Sequence, residues 1–356
     1  MIIKIKSEIL NNFCKNVLLK AGLSKKDAST VAESILFANL RGIDSHGIIR
    51  FPFYLKRVEV KGTNSHPQIK KIKEGPSTIL LDGDNGMGQV IGAHAARLAV
   101  KKAKDTGVAI VGARGSSHYG VASYYSLLIS REKMIGFSMT GNTQVMAAWG
   151  GAKRVIGNNP LSVAVPFKKD MPIVLDISMS TVAGGKVRVA AKNKQKIPKN
   201  WIIDKNGKFT DDPNALPEGG ALLPFGEHKG YGLAVIIEIL SAVLTGAGLL
   251  GQVPLWIKDF EKPLNIGHLF GAINIENFIN YDLFLDRLEY MVKQLKDSPL
   301  AEGFSNIFIP GEIEYEKTKI RQEEGIPISE EIYSELEKIS KTYQEPLKNI
   351  KISIKK

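Results

Sequence analysis

The middle of the chain repeats the order apolar strand, glycine-rich loop and helix. Residues 78–82 form a short apolar run, and the glycine loop 83–88 leads into a predicted helix over 89–104. A second strand at 108–111, followed by the loop 112–120, repeats this order. Strands that alternate with helices favour helices layered on a sheet. The sequence therefore predicts an α/β (α+β) fold with layered helices and strands.

The first glycine loop invites a dinucleotide-binding interpretation, which its spacing does not support. Gly83, Gly86 and Gly88 follow a strand, but their order differs from the G-x-G-x-x-G fingerprint. The acidic residue expected about 20 positions later lacks the right setting. A loop that merely reverses the chain explains these glycines as well, so we predict a layered domain that is not a Rossmann fold.

The two ends of the chain are predicted to be mainly helical. A stripe of apolar residues over 7–21 stops at Gly22, and Ser24 with Asp27 resembles an N-cap pair for a second helix that ends near Gly42. Ser329 is placed to cap a last helix. A helical hairpin therefore precedes residue 46.

Composition excludes several classes of protein. The chain has 356 residues, a formal net charge of +12 and one cysteine, Cys14. A single cysteine excludes an intramolecular disulfide and fits a reducing compartment, so we expect a cytoplasmic protein. The net charge leaves open a basic nucleic-acid-binding protein, but the densest basic segment, 186–208, shows no nucleic-acid-binding motif of basic residues interleaved with aromatic ones, so we expect no nucleic-acid partner. A lysine-rich solvated surface, or a patch that attracts nucleotide phosphates, accounts for it better.

The longest apolar run approaches the length of a membrane span. It covers 233–250, but Glu238 interrupts it and Gly246 and Gly248 shorten it. We interpret it as part of a long buried helix over 229–245 and expect no membrane association.

Residues 41–50 carry the clearest chemical signal. His46 lies between Gly42 and Gly47, just past a predicted helix end, and Arg50 follows four residues later. Imidazole exchanges protons near neutral pH, and guanidinium binds a carboxylate through two parallel hydrogen bonds. This pair suits reduction of a 2-keto acid. A helix C-cap followed by a solvated turn, without a catalytic role, explains the same residues equally well.

Two loops suit phosphate. Residues 176–181 end a strand with three hydroxyl side chains, and residues 224–232 open the long apolar helix with Lys229 near its start. Backbone N–H groups at such turns and helix N-termini attract anions. Ordinary helix caps are the alternative at both places.

Other catalytic classes lack their signatures. There is no H-E-x-x-H motif and no histidine pair with suitably spaced carboxylates, so we predict no metal site. Ser45 adjoins His46, but adjacent side chains rarely face each other and a G-x-S-x-G elbow is absent. Hydrolysis through a serine nucleophile is therefore disfavoured.

Taken together, several motifs resemble the malate/L-lactate dehydrogenase family, which is unrelated to the Rossmann-fold lactate and malate dehydrogenases. The likeness spans nearly the whole chain and is strongest toward archaeal malate and sulfolactate dehydrogenases. The motifs that carry it lie at residues 41–50, 81–90, 117–120, 146–151, 156–160, 176–180, 228–233 and 308–312.

The resemblance implies an NAD(P)-dependent 2-hydroxyacid dehydrogenase that interconverts malate, sulfolactate or lactate and the 2-keto acid. A ureidoglycolate-type dehydrogenase or a cyclic-imine reductase on the same scaffold is the alternative. The resemblance also implies a homodimer. Each chain would have a mainly helical domain, formed by residues 1–72 with 313–356, and a nicotinamide-binding domain, formed by residues 73–312. The choice between NAD and NADP, the particular acid, the stereochemistry and the direction stay open.

The resemblance also implies roles for individual residues. His46 would exchange the proton, with His118 as the second candidate, and Arg50 would hold the carboxylate. Ser45, Tyr54, His118 and Thr140 would contact the substrate as well. The cofactor is expected along Asp176, Ser178, Met179, Ser180, Thr181, His228, Lys229, Gly311 and Glu312.

Five positions depart from the expected family pattern. They are Ser117, Gly141, Ala148, Asn158 and Arg188, of which the last stands where an acid is common. All five fall near the expected pocket, so they bear on substrate identity more than on fold.

Overall fold

A computed structural model describes residues 2–168 and 171–347. In this part of the chain ten α-helices surround three sheets. The strands are β1 (Ile2–Ile5), β2 (Lys70–Glu74), β3 (Thr78–Asp82), β4 (Val108–Ser116), β5 (Met134–Thr140), β6 (Met146–Ala147), β7 (Arg154–Ile156), β8 (Leu161–Lys168), β9 (Met171–Ile177), β10 (Ile202–Ile203), β11 (Phe209–Thr210), β12 (Ala221–Leu222), β13 (Ile266–Asn274) and β14 (Ile326–Ser329). The helices are α1 (Ser7–Lys20), α2 (Lys25–Leu40), α3 (Phe51–Glu59), α4 (Gly88–Thr106), α5 (Ser123–Ser130), α6 (Gly184–Lys192), α7 (His228–Glu238), α8 (Tyr281–Lys296), α9 (Glu312–Glu324) and α10 (Glu330–Tyr343).

The largest sheet has seven strands in the order β2-β3-β4-β13-β5-β8-β9. Only β3 and β4 pair in parallel, joined by the crossover helix α4; the other neighbours are antiparallel. Helix α4 packs against the sheet through a row of buried alanines, which allows a close approach. The predicted layered α/β fold is confirmed, and its mostly antiparallel sheet agrees with a fold that is not of the Rossmann type.

The two chain ends meet in a helical layer. Strand β1 pairs antiparallel with β14, and α1, α2 and α10 bury one continuous apolar core around that ribbon. Both predicted N-caps are confirmed, since Ser24 Oγ accepts from Asp27 N at 3.1 Å and Ser329 Oγ accepts from Ile332 N at 3.4 Å. The predicted domain boundaries, between residues 72 and 73 and between residues 312 and 313, stay a prediction. Residues 348–356 lie outside the described residues.

The structure differs from the sequence interpretation in three elements. The charged residues 67–74 predict a connector without regular structure, but residues 70–74 form the edge strand β2, whose side chains are all exposed. The apolar pattern over 155–166 predicts one strand, but the structure has two there, β7 and β8, because Gly157 to Pro160 turns the chain between them. A Cβ atom at Gly157 would lie 2.3 Å from Asn159 Oδ1, so only glycine fits that turn.

The third difference concerns the apolar helix. Helix α7 ends at Glu238 and continues as a π-helical turn, Ile239–Val243. One face packs on the sheet, but the other is exposed, so the helix is half buried rather than fully buried as predicted. The exposed side chains are Leu233, Ile236, Ile239, Val243 and Leu244. Among the described residues no helix has both the length and the apolar character needed to cross a bilayer.

Candidate functional site

A cavity of about 490 Å³ lies where the His46 turn meets the ends of β5 and β9. Its volume is within the range usual for small-molecule and cofactor sites. Seven of the predicted site residues line it, whereas Arg50 and Tyr54 are not among the lining residues. The seven are Ser45, His46, His118, Thr140, Asp176, Ser178 and Gly311.

The His46 turn is held by the end of α2. The Asn39 amide donates to Asp44 Oδ1 at 2.7 Å and accepts from the backbone N–H of Ile48 at 2.7 Å. Arg321 of α9 forms an ion pair with the same Asp44 carboxylate, at 2.6 Å. A Cβ atom at Gly47 would lie 2.3 Å from the Asn39 side chain, so the glycine permits this packing. The turn is therefore fixed from both chain ends.

Within this turn, His46 and Arg50 lie close together. The Ser45 hydroxyl and His46 Nδ1 share a hydrogen bond of 2.9 Å, while Arg50 Nε donates to the Ser45 carbonyl at 2.7 Å. Burial, followed by the positive charge of Arg50, lowers the pKa of His46 to about 4. Within the described residues the Nε2 atom of His46 has no hydrogen-bond partner, so it is available to a ligand.

His118 lies in a stack of aromatic rings beside His46. Its ring is 5.7 Å from that of His46 and 4.3 Å from that of Trp256, with near-parallel planes. The Tyr54 hydroxyl and His118 Nδ1 share a hydrogen bond of 2.7 Å. Burial, followed by the neighbouring charges of His46 and Arg50, lowers the pKa of His118. The stack orients the imidazole and keeps it neutral.

Thr140 is held by a third histidine, to which the sequence interpretation assigned no role. His268 is fully buried; its Nδ1 lies 2.7 Å from Thr140 Oγ1 and its Nε2 lies 2.7 Å from Ser116 Oγ. Thr140 Oγ1 donates its proton to a carbonyl, that of Gly141 or Gly267, so His268 Nδ1 is the donor toward it. Burial lowers the pKa of His268 to about 3, which keeps this network neutral.

The far wall of the cavity contains an ionisable cluster. The Asp176 carboxylate accepts from the backbone N–H of Ser123 in the first turn of α5, at 3.1 Å. Burial raises the pKa of Asp176, whereas the charge of nearby Arg41 opposes that shift. Arg41 and Glu314 also line the cavity, and neither was singled out from sequence as a site residue.

The remaining predicted cofactor residues lie beside the cavity rather than in it. Residues 178–181 join the segment before α7 through a Ser180–Pro224 bridge, and Thr181 donates to the carbonyls of Leu223 and Pro224. The Met179 side chain is buried in the smaller core, and both its backbone polar groups are already bonded. His228 and Lys229 are exposed in the first turn of α7.

Glu312 is bonded within the protein. Its carboxylate accepts from the backbone N–H of Ile309 at 2.9 Å and from Lys296 at 2.6 Å. Gly311, the residue before it, has φ of 90° and packs so tightly that a Cβ atom there would lie 2.9 Å from Val174 Cβ. The 308–312 segment is therefore shaped by glycine into a close-fitting wall of the cavity.

Of the five departures from the family pattern, Ser117 and Asn158 form hydrogen bonds with other polar side chains. Arg188 places a positive charge where an acidic residue is common. Ser117 Oγ bonds to Thr63 Oγ1 at 3.2 Å, and Asn158 Oδ1 accepts from Asn142 at 2.9 Å. Helix α6 packs on the His46 turn, since a Cβ atom at Gly185 would lie 3.5 Å from Ser45 Cβ. Arg188, three residues further along α6, is close enough for its charge to affect Arg50. Gly141 faces Ser241, and nothing in the structure explains Ala148.

The residue of the site that the sequence interpretation missed most clearly is Trp256. It stacks on His118 and also lies 5.2 Å from the Arg50 guanidinium. The tryptophan is far from both residues in sequence and belongs to no motif, so only the tertiary structure reveals it. A cluster of three or more metal-binding side chains is absent from the described part of the chain.

The chain is similar to known dehydrogenases over almost its whole length. Residues 5–337 match the malate/L-lactate dehydrogenase family. The chain is 41% identical to malate dehydrogenase of Pyrococcus horikoshii over 347 residues, which cover 95% of each chain. It is 36% identical to the NAD(+) ureidoglycolate dehydrogenase of Escherichia coli K12, covering 94% of this chain and 95% of that protein.

A solved structure shows the same architecture. Sulfolactate dehydrogenase of Methanocaldococcus jannaschii superposes with a TM-score of 0.92 at 38% identity, covering 98% of this chain and 99% of the other. The sequence match and the shared fold extend over almost the whole of both chains. This chain therefore belongs to the malate/L-lactate dehydrogenase family and is an oxidoreductase.

Proposed function

We propose that the protein is an NAD(P)-dependent 2-hydroxyacid dehydrogenase that acts on a small dicarboxylic or sulfonated acid. The observation that carries this proposal is the pairing of His46, whose Nε2 is free to meet a ligand, with a nearby Arg50 guanidinium. Reduction of a 2-keto acid needs a hydride, which the cofactor would supply, together with a proton donor and a group that holds the carboxylate, and these two residues suit the latter roles.

The arrangement supports a division of labour between the two residues. Arg50 binds the substrate carboxylate and orients the keto group toward His46. A bound carboxylate compensates the charge of Arg50, which is one of the two causes that lower the pKa of His46. Substrate binding therefore favours the protonated imidazole, which donates to the oxygen that gains charge. His118, fixed by Tyr54, hydrogen-bonds the same oxygen.

The cavity fits a nicotinamide cofactor. Its wall of Gly120 to Ala122 and Val174 to Leu175 is largely apolar and suits a planar ring, while Asp176 and Ser178 offer polar groups for a ribose. When bound, the nicotinamide supplies or accepts the hydride. Gly311, which leaves no room for a side chain, lets the backbone approach that group. His228 and Lys229 at the α7 N-terminus remain candidates for its phosphates.

The charges around Arg50 favour a substrate with two negative groups. Burial, followed by the opposing charge effect of Tyr54 and the like charge of Arg188, governs the pKa of Arg50, which is lowered. In the described part of the chain neither Arg50 nor Arg188 forms an ion pair. Two guanidiniums without ion pairs, one in the His46 turn and one on α6, suit oxaloacetate or sulfopyruvate better than pyruvate.

We also propose a homodimer. The exposed apolar face of α7 and its π-helical turn, defined above by Leu233 to Leu244, is continuous and large for a surface that meets water. A second copy of the chain would bury this face through a symmetric contact.

Reduced nicotinamide consumption tests the proposed function directly. NADH and NADPH are each assayed with oxaloacetate, sulfopyruvate and pyruvate. We expect turnover with oxaloacetate, with sulfopyruvate or with both. A cyclic imine and, in the oxidising direction, ureidoglycolate test the rival substrates on this scaffold. Turnover with the cyclic imine or ureidoglycolate, and with none of the keto acids, would refute the proposed substrate class.

A further inference from the structure

A second cavity, of about 760 Å³, shares the lining residue Arg41 with the catalytic cavity. We call it the basic groove. It is enclosed by α2, α5, the β8–β9 edge, the start of α8 and α9. Among the described residues, its lining includes five cations and four aromatic rings but no aspartate or glutamate. The cations and rings are Arg41, Arg131, Lys133, Lys168 and Lys319, with Phe37, Phe167, Tyr281 and Tyr315.

Most of the cations in the groove are placed by the rings rather than by carboxylates. Lys319 Nζ lies 4.5 Å from the centre of the Tyr315 ring, and Lys133 Nζ lies 4.8 Å from that of Tyr281. Lys168 lies over Phe167 and also pairs with Glu289 at 3.5 Å. A cation held over a ring keeps most of its charge available to an anion, because the ring does not neutralise it.

Arg41 provides an independent indication of a ligand. Its side chain is only 8% exposed and lines both the basic groove and the catalytic cavity. Its Nε is buried without a hydrogen-bond partner among the described residues. Asp176 and Glu314 act on it through their charge, but neither forms an ion pair with it. A buried donor without a partner is costly, and an anion would satisfy it.

We propose that the basic groove binds the phosphate groups of an adenine nucleotide. Four of the groove's cations form no ion pair with any described residue and match phosphate charge, the aromatic walls suit a base, and the volume suits a molecule of nucleotide size. Arg41 contacts the ligand where the two cavities adjoin. The ligand is either the adenylate half of the dinucleotide cofactor, in which case the inference rests on the proposed function, or a free nucleotide that binds separately.

Calorimetric titration with ADP tests the groove, with adenosine and inorganic phosphate as partial ligands. We expect ADP to bind, adenosine to bind more weakly, and affinity to fall as salt is added. Lys133→Ala and Lys319→Ala should each raise the Kd for ADP about tenfold, the loss of one charged contact. Lys341→Ala, an exposed lysine on α10 outside the groove, should leave it unchanged.

Competition between NADH and ADP distinguishes the adenylate half of the cofactor from a free nucleotide as the ligand of the groove. If the groove holds the adenylate half of the cofactor, NADH displaces ADP and the two lysine variants weaken NADH binding equally. If it holds a free nucleotide, ADP and NADH bind together and only ADP binding responds to the variants. No binding of ADP, or ADP binding that neither lysine variant weakens, would overturn the inference. Keto acid turnover by the same variants reports separately on the proposed function.

Discussion

At the scale of single residues, the site depends on how burial and a neighbouring charge act on one imidazole. His46 is neutral in the unliganded protein because its pKa is lowered to about 4, first by burial and then by Arg50. Its identity as a candidate could be predicted from sequence, because glycines on both sides mark an exposed turn. Its protonation state could not, since that depends on the surrounding cavity.

The lowered pKa of His46 predicts the pH dependence of both directions. A neutral imidazole is the form that accepts a proton, so kcat/KM for hydroxy acid oxidation should stay constant from about pH 8 down to about pH 5 and fall near pH 4. The protonated form is needed for reduction, so kcat/KM for keto acid reduction should fall about tenfold per pH unit above pH 5. Initial rates across this range check both slopes. A reduction profile that is flat to pH 8 would contradict the assignment.

Arg50 is predicted to act through its planar fork as well as its charge. Lysine keeps the charge but loses the two parallel hydrogen bonds, so Arg50→Lys should raise KM for the keto acid about tenfold and change kcat less. Steady-state kinetics measures the split, and an unaltered Kd for NADH is the control. An unchanged KM would remove Arg50 from the carboxylate role.

At the scale of elements, local signals identified most helices, and long-range packing determined the rest. Ser24 and Ser329 are caps whose chemistry is local, so both helix starts were predictable. Strand β2 was not, because its exposed charged residues form an edge strand only through pairing with β3. Trp256 and His268 escaped prediction for the same reason, since their contacts join residues more than a hundred positions apart.

Helix α6 is predicted to set substrate preference through Arg188. Replacing this guanidinium with a carboxylate reverses a charge beside Arg50, so Arg188→Asp should lower kcat/KM for oxaloacetate about tenfold more than for pyruvate. Lys186→Asp makes the same change of net charge on the opposite side of α6, and it should affect both substrates alike. Equal losses on both keto acids in the Arg188 variant would show that the residue does not select a second anionic group.

At the scale of the whole molecule, the packing of a single chain does not explain why one side of α7 and its π-helical turn is both apolar and exposed. The run 233–250 was interpreted from sequence as fully buried, and the structure buries only the side that holds Glu238, which bonds Asn159 and the backbone of Leu250. The sequence could not distinguish burial within one chain from burial between two, because both select apolar residues.

Disrupting this face should separate the subunits. Ile236→Asp combined with Val243→Asp places two charges where a second copy is proposed to pack, so sedimentation should shift from dimer to monomer. Ile320→Asp, on an equally exposed isoleucine of α9, should leave the dimer intact. A wild-type protein that sediments as a monomer at micromolar concentration would contradict the proposed assembly.

The central claim is that one histidine in the turn after α2 transfers the proton. Turnover and NADH affinity should be measured side by side for His46→Ala and His118→Ala. We predict that His46→Ala lowers kcat for keto acid reduction at least about a hundredfold while NADH binds with nearly unchanged Kd. Normal turnover by His46→Ala, with the loss confined to His118→Ala, would contradict the account and transfer the proton-donating role to His118.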